Sequence, residues 1–298
     1  MKVTVTVPAT TANLGPAFDC LGLALGLYNT ITIRTQPEAI TLELHGEGTG
    51  VLPLDERNLV VQAVHCLFNH VGQPLAGMAI TLENQIPVGA GLGSSAAAVL
   101  GGLLGANALL KEPLARPQLL ALAGHMEGHP DNVAPAAYGG LVLVNHENGQ
   151  MLVEPLTTPP LKVVVVLPDF SLPTVQARAA LPQRVPLADA VFNASRVALL
   201  IRALEKEDYG QLAIAMQDRL HQPYRTPLIP GMAAALAAAR AAGAAVALSG
   251  AGPGAVAFTP HDHEKVAQVM GDAFAAAGLT SRIWILPVDT RGSIVEIA

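Results

Sequence analysis

Residues 87–97 read Pro-Val-Gly-Ala-Gly-Leu-Gly-Ser-Ser-Ala-Ala, and this run constrains the fold more than any other stretch of the chain. Glycines at 89, 91 and 93 let the backbone turn its N–H groups inward and let a ligand approach closely. The two serines then begin a predicted helix over 94–110, whose N-terminus carries partial positive charge and favours phosphate. The run therefore predicts a phosphate-binding turn followed by a helix of small residues.

This loop differs from the two best-known glycine-rich phosphate loops. The Walker loop needs a Lys followed by Ser or Thr, but no Lys or Arg occurs between Arg57 and Lys111. The glycine spacing also differs from that of the dinucleotide-binding fingerprint. Taken alone, the run could still be a turn that merely joins a strand to a helix.

The composition indicates a globular chain without a general affinity for polyanions. Of its 298 residues, 51% are hydrophobic and 13% are charged, with a formal net charge of −6. Such a chain can bury a core, and it has no basic stripe for nucleic acid or acidic membranes. Two cysteines, Cys20 and Cys66, are too few for a disulfide framework and fit a reducing compartment. We therefore expect a cytoplasmic protein with no nucleic-acid or membrane partner.

Hydrophobic periodicity predicts strands and helices in an α+β order. Strands are predicted over 2–7, 30–34, 40–45, 78–83, 141–145, 161–168, 244–249, 254–259 and 282–288. Helices are predicted over 58–70, 94–110, 117–127, 188–205, 208–220, 231–242 and 262–277. The best linker is the run Thr-Thr-Pro-Pro-Leu at 157–161, because consecutive prolines exclude regular structure. It predicts two domains, 1–157 and 161–298.

Motifs along most of the chain resemble those of the GHMP kinases. The run 87–97 matches the family's Pro-x-x-x-Gly-Leu-Gly-Ser-Ser phosphate loop, and 249–254 (Ser-Gly-Ala-Gly-Pro-Gly) resembles its C-terminal glycine loop. The resemblance implies a two-domain α+β architecture, with an N-terminal domain like domain 2 of ribosomal protein S5 and a ferredoxin-like C-terminal domain. It also implies an active site in the cleft between the domains, and ATP and Mg²⁺ as cofactors.

The segment 8–22, Pro-Ala-Thr-Thr-Ala-Asn-Leu-Gly-Pro-Ala-Phe-Asp-Cys-Leu-Gly, resembles members of the family that phosphorylate the side-chain hydroxyl of L-homoserine. The segment 127–135, Glu-Gly-His-Pro-Asp-Asn-Val-Ala-Pro, resembles another family motif. The resemblance implies that Asn13 and Asp19 hold the amino end of this substrate and that Asn132 positions its hydroxyl. For Asn13 and Asp19 the simpler alternative is turn chemistry, which Asn and Asp also favour.

The remaining implied site residues fall into four groups. His129 lies three positions before Asn132 and is assigned to the substrate, with Asp131 as a neighbour; for both, a capping or turn role is the alternative. Thr174, Arg178 and Arg225 would hold the substrate carboxylate, unless the arginines are surface residues. ATP would contact Pro87, Val88, Gly89, Ala90, Gly91, Leu92, Gly93, Ser94, Ser95, Ala96 and Ala97, and Ser249, Gly250 and Gly252 would close that site. Ser95 and Glu127 are the implied Mg²⁺ ligands, since this hard cation prefers hydroxyl, carboxylate, phosphate and water oxygens.

The implied catalytic set is thus Asn132, Glu127 and Ser95. An amide cannot take up a proton, so the resemblance implies a phosphoryl transfer that depends on positioning and charge neutralisation. Two other functions stay open at this point. One is a GHMP kinase for another substrate, such as mevalonate or a sugar, and the other is a nucleotide-binding regulator without catalysis. A homodimer is also left open.

Overall fold

The structure is a computed structural model and describes residues 1–75, 77–147 and 150–298. Its described strands are β1 (Lys2–Ala12), β2 (Leu21–Thr35), β3 (Thr41–Gly46), β4 (Met78–Asn84), β5 (Leu141–Glu147), β6 (Gln150–Leu156), β7 (Lys162–Pro168), β8 (Ala245–Leu248), β9 (Ala255–Phe258), β10 (Ser281–Pro287) and β11 (Ile294–Ile297). Its described helices are α1 (Leu59–His70), α2 (Ser94–Leu109), α3 (Arg116–Glu127), α4 (Val133–Tyr138), α5 (Thr174–Ala179), α6 (Leu187–Glu205), α7 (Tyr209–Ala215), α8 (Gln222–Arg225), α9 (Met232–Ala241) and α10 (His263–Ala276). The predicted α+β class is confirmed.

The strands form two sheets. The first has the order β11-β1-β2-β4-β3, and β5 pairs with both β2 and β6. The second has the order β10-β7-β9-β8 and is antiparallel throughout. The predicted domain division at 157–161 stays a prediction, but β11 lies beyond that linker and pairs with β1 in the first sheet.

The first strand leads directly into the functional region. Its Lys-Val-Thr-Val-Thr-Val start alternates as predicted, so that Val3, Val5 and Val7 are buried in the core. A β-bulge between Pro8 and Ala9 shifts its register against β2. Beyond the bulge the strand is buried on both faces up to Ala12, because the loops of the site cover it.

The small residues of α2 allow this helix to lie close to the first sheet. A Cβ atom at Gly101 would lie 2.5 Å from the side chain of Ile31, and one at Gly105 would lie 2.7 Å from that of Ile33. The helix therefore packs on the sheet with its N-terminus, Ser94, at the end of the phosphate loop.

The predicted helix over 208–220 is wrong in its second half, because α7 ends at Ala215. The Asp218 carboxylate accepts hydrogen bonds from the backbone N–H groups of residues 220–222 at 2.6–3.0 Å. These bonds hold the turn that leads into a new short helix, α8, whose N-cap residue is His221. Sequence periodicity also missed the short elements α4, α5, α8 and β11, as well as β6.

No helix in the described ranges has the length and apolar character that a membrane span requires.

Candidate active site

One cleft of ≈ 670 Å³ gathers most of the residues that the sequence singled out. Its lining consists of Asn13, Asp19, Gly89, Ala90, Gly91, Leu92, Gly93, Ser94, Ser95, Ala96, Glu127, His129, Asp131, Asn132, Thr174, Arg178, Arg225, Gly250 and Ala251. Of the predicted site residues, Pro87, Val88, Ala97, Ser249 and Gly252 are not part of this lining. Segments far apart in sequence therefore converge on one place.

The phosphate loop is held against β1 by contacts that only glycine permits. Gly93 is the N-cap of α2 and has a left-handed φ of 70°. A Cβ atom there would lie 2.0 Å from Oγ1 of Thr10 and 3.3 Å from Oδ1 of Asn132. The first N–H groups of α2 have no acceptor within the helix, and Ser94 and Ser95 line the cleft at this point. The geometry suits an anion at the helix N-terminus.

The C-terminal glycine loop connects β8 to β9 and packs against the phosphate loop. The Ser249 hydroxyl donates to the Gly91 carbonyl at 2.6 Å and lies 2.9 Å from the Thr11 hydroxyl. Gly254 donates its backbone N–H to the Ala90 carbonyl at 3.2 Å. Ser249 thus stabilises the phosphate loop without lining the cleft, whereas Gly250 lines the cleft.

Ser95 and Glu127 form a pair of hard oxygen donors at one end of the cleft. The Ser95 hydroxyl donates to Oε1 of Glu127 at 2.6 Å. Burial raises the pKa of Glu127, and the hydrogen bond from Ser95 acts in the opposite direction. A bound cation would stabilise the ionised form of Glu127 and so offset the effect of burial, and the pair therefore fits Mg²⁺. The described residues contain no group of three or more His, Cys, Asp or Glu side chains that could hold a metal, so phosphate and water oxygens would complete the shell.

Asn132 is fixed by hydrogen bonds on both sides of its amide. Its Oδ1 accepts from the Thr10 hydroxyl at 2.9 Å, and its amide donates to Oδ1 of Asp131 at 3.2 Å. Nδ1 of His129 lies 3.9 Å from the same Asp131 oxygen and is buried without a hydrogen-bond partner among the described residues.

Asp131 is a functional candidate that the sequence indicated only as a neighbour. It is 3% exposed and lines the cleft. Burial, and then the negative charge of Asp19, raise the pKa of this carboxyl to about 6. Because burial disfavours the ionised form of this carboxyl, an ammonium group placed beside it would stabilise that form. Its place in the 127–135 motif was the available signal.

Asp19 and Arg178 face each other across the cleft as an ion pair. Nη1 and Nη2 of Arg178 donate to the two oxygens of Asp19 at 2.9 and 3.0 Å. The side-chain oxygen Oδ1 of Asn13 accepts from the Asp19 backbone N–H, and Nδ2 of Asn13 donates to the Gly250 carbonyl, both at 2.9 Å. Asn13 therefore shapes the turn that presents Asp19, in addition to lining the cleft. Thr174 begins α5, the helix that carries Arg178.

Arg225 is 1% exposed, which excludes a surface role. Its guanidinium carbon lies 5.1 Å from the centre of the Phe18 ring, and that of Arg178 lies 5.6 Å from the same ring. Burial and the neighbouring Arg178 lower the pKa of Arg225, so an anion between the two cations would be favoured. No feature of the sequence distinguished Phe18 from the rest of the 8–22 segment.

A second cavity of ≈ 640 Å³ adjoins the cleft and shares Gly89, Ser94 and Ser95 with it. The rest of its lining is Asn29, Ile31, Leu52, Pro53, Arg57, Asn58, Leu59, Val60, Leu82, Asn84, Val88 and Ala98. It combines apolar side chains with a few amides, as small-molecule sites do. Among the residues of this further lining only Val88 was predicted from the sequence, because the others come from separate elements and form no local motif.

Comparison with known proteins gives a consistent result. The family described as GHMP kinases N terminal domain matches residues 58–140, and GHMP kinases C terminal matches residues 200–276. A homoserine kinase from Moorella thermoacetica is 47% identical over 295 residues, covering 98% of this chain and 99% of the relative. One from Gloeobacter violaceus is 45% identical over 304 residues, covering 98% of each. The crystal structure of a homoserine kinase from Cytophaga hutchinsonii has a TM-score of 0.89 at 32% identity and covers 99% of this chain and 97% of that one.

Proposed function

The chain belongs to the GHMP kinase family, and we propose that it transfers the γ-phosphate of ATP to the side-chain hydroxyl of L-homoserine. The products are O-phospho-L-homoserine and ADP, in threonine biosynthesis. The observation that carries the proposal is a single cleft in which three carboxylates and two arginines lie beside a phosphate loop. Relatives named homoserine kinase, similar over nearly the whole chain, support it.

The nucleotide would occupy both cavities. The phosphates would lie on residues 87–97, at the N-terminus of α2, and the nucleoside would occupy the adjoining cavity lined by Leu52, Asn58 and Val88. Ser95 and Glu127 would hold Mg²⁺, which when bound neutralises the charge of the phosphates. Since Ser95 lines both cavities, the phosphates would meet the metal pair where the two cavities join.

The charges of the cleft match a zwitterionic amino acid. Its ammonium group would lie beside Asp19 and Asp131, and its carboxylate between Arg178 and Arg225. Asn132, held by Thr10 and Asp131, would position the hydroxyl for in-line attack. Phosphoryl transfer depends mainly on such positioning and on charge neutralisation, so an amide suffices here.

The alternative substrates fit this arrangement less well. Mevalonate has no ammonium group and would leave Asp19 and Asp131 without a cation, and galactose would leave the arginines without an anion as well. A regulator without catalysis would not need the Ser95–Glu127 pair at the helix N-terminus.

The test is an ADP-release assay with L-homoserine, L-threonine, L-serine, mevalonate and galactose. We expect the highest kcat/KM for L-homoserine. A higher value for mevalonate or galactose would overturn the substrate assignment, and no turnover of any compound would favour the regulator. We further propose a cytoplasmic location, which the free thiols of Cys20 and Cys66 support. A homodimer also stays open, and light scattering would test it.

A further inference from the structure

His221 is buried next to the proposed substrate site, and none of the roles above uses it. It is 0% exposed and is the N-cap residue of α8, the short helix that carries Arg225. Its ring lies 5.4 Å from the ring of Phe18, the aromatic side chain under both cleft arginines. A wholly buried ionisable side chain needs a hydrogen-bond partner for each polar atom.

The two ring nitrogens of His221 face groups of opposite hydrogen-bonding type. Nε2 lies 2.7 Å from the carbonyl oxygen of Gly15, which can only accept, and Nδ1 lies 3.3 Å from Nη1 of Arg225, which can only donate. Only the neutral ring with its proton on Nε2 satisfies both neighbours. Burial lowers the pKa of His221 most; Asp218 raises it and Arg225 lowers it further, so the net direction favours the neutral ring.

The backbone around this ring is fixed by Asp218. Its carboxylate accepts from the N–H groups of residues 220–222 and from the Asn193 amide at 2.7 Å. Oδ2 of Asp218 lies 3.5 Å from Nε2 of His221, farther than the Gly15 carbonyl, which is therefore the main acceptor for the ring proton. These bonds hold the backbone from which the ring projects.

Arg225 is held on several sides and open toward the cleft. Its Nε donates to the Ala177 carbonyl at 3.3 Å, and Nη1 reaches the Gly250 carbonyl at 3.4 Å in addition to His221. Across the described ranges, no protein group accepts a hydrogen bond from Nη2 of Arg225. Since Arg225 lines the cleft, Nη2 is the donor that remains for a ligand.

We infer that His221 is a positioning residue whose neutral ring links the Gly15 carbonyl to Nη1 of Arg225 and thereby aims Nη2 at the substrate carboxylate. Through Gly15 the same ring restrains the turn that presents Asp19, so one side chain aligns the groups for both ends of the substrate. His221 itself does not touch the substrate. The inference rests on the proposed function in that the substrate carries a carboxylate at one end and an ammonium group at the other.

Two variants of His221 test the contacts of its two ring nitrogens separately. His221→Asn keeps an acceptor near the position of Nδ1, and His221→Gln keeps a donor near Nε2 but leaves Nη1 of Arg225 without its acceptor. For each we would measure kcat, the KM values for L-homoserine and ATP, and inhibition by 3-aminopropan-1-ol, which is homoserine without its carboxylate. We expect His221→Gln to raise the KM for homoserine about ten-fold and His221→Asn about two-fold, with the KM for ATP unchanged.

The inhibition constant of 3-aminopropan-1-ol should be the same in wild type and His221→Gln, because this compound has nothing for Arg225 to bind. An equal loss for both compounds, or an unchanged KM for homoserine, would overturn the inference. A long-range ¹H–¹⁵N spectrum of the substrate-free wild type tests the same geometry without turnover, and a proton on Nδ1 would also overturn it. Absence of homoserine turnover in the wild type would instead count against the proposed function.

Discussion

Arg178 binds both carboxylate oxygens of Asp19, at 2.9 and 3.0 Å, across the cleft. These are the residues proposed to hold opposite ends of the substrate, so in the substrate-free protein they neutralise each other. An amino acid would exchange this one ion pair for two, with its ammonium on Asp19 and its carboxylate on Arg178. Compounds with only one of the two charges would leave one partner of the broken pair uncompensated, at a cost in binding.

Replacing Arg178 should weaken the use of homoserine far more than the use of ATP. The loss of one charge-assisted contact costs on the order of 1.5–3 kcal/mol, so we expect kcat/KM for homoserine to fall roughly ten- to a hundred-fold in Arg178→Ala. Arg184→Ala is the matched control, since Arg184 is exposed and lies outside the cleft lining. If Arg178→Ala matched this control in steady-state kinetics, Arg178 would have no part in substrate binding.

Ionisation of Asp131 should produce an acid limb in the pH profile of kcat/KM. The pKa of this carboxyl is raised to about 6, and only its ionised form attracts an ammonium group. We therefore expect kcat/KM for homoserine to fall as pH decreases through about 6, and Asp131→Asn to lose this dependence along with most of the affinity. A limb that persists in Asp131→Asn would have to come from another group.

The same raised pKa predicts the sign of a stability effect. Between the ordinary Asp value of 3.8 and about 6 the folded protein binds more protons at Asp131 than the unfolded chain does. Its contribution to the free energy of unfolding therefore decreases as pH rises through this window. Asp131→Asn should raise Tm, relative to the wild type, more at about pH 8 than at about pH 4. The opposite order would contradict the assigned direction of the shift.

We predict that no side chain acts as an obligatory general base. Asn132 cannot accept a proton, and Asp19 and Asp131 would both be engaged with the substrate ammonium group, which leaves His129 as the competitor. In His129→Gln, kcat should fall modestly and keep the shape of its pH profile. A loss of roughly 10²–10⁴-fold, with one ionisation missing from the profile, is what removal of a general base would give. His45→Gln, at an exposed position, serves as the control.

Glu127 should determine the Mg²⁺ requirement. Glu127→Gln keeps an oxygen near the Ser95 hydroxyl but removes the charge that attracts the cation. We expect the Mg²⁺ concentration for half-maximal activity to rise about ten-fold or more, with the KM for homoserine little changed at saturating Mg²⁺. An unchanged Mg²⁺ titration would mean that a carboxylate other than Glu127 binds the metal.

Gly93 should tolerate no side chain. In Gly93→Ala the new Cβ atom would lie 2.0 Å from Oγ1 of Thr10, in addition to the strain of a φ of 70°. Gly278→Ala isolates that strain, because Gly278 has a φ of 79° and open space around it. We expect about 1–2 kcal/mol of destabilisation in Gly278→Ala and clearly more in Gly93→Ala by urea unfolding, with loss of kcat only in the latter. Equal destabilisation would mean that the loop relaxes around the methyl group.

The sequence by itself determined the local features and, through its motifs, most of the proposed site. The turn at 87–93 and the helix after it follow from glycine and serine preferences within a few residues, and the helix is observed at Ser94–Leu109. Arg178 and Arg225 were found only because their surroundings resemble a known family, since one arginine in a sequence does not differ from another.

Only the tertiary structure decided how the distant groups are paired. Asp19 and Arg178 are separated by 159 positions, and His221 meets the Gly15 carbonyl across 206. Backbone propensity and hydrophobic period act over a few residues, whereas an ion pair, a histidine tautomer or a nucleoside cavity depends on which segments pack together. The residue types of the site could therefore be predicted from the sequence. The partner and the charge environment of each site residue depend on how the two sheets and their loops pack.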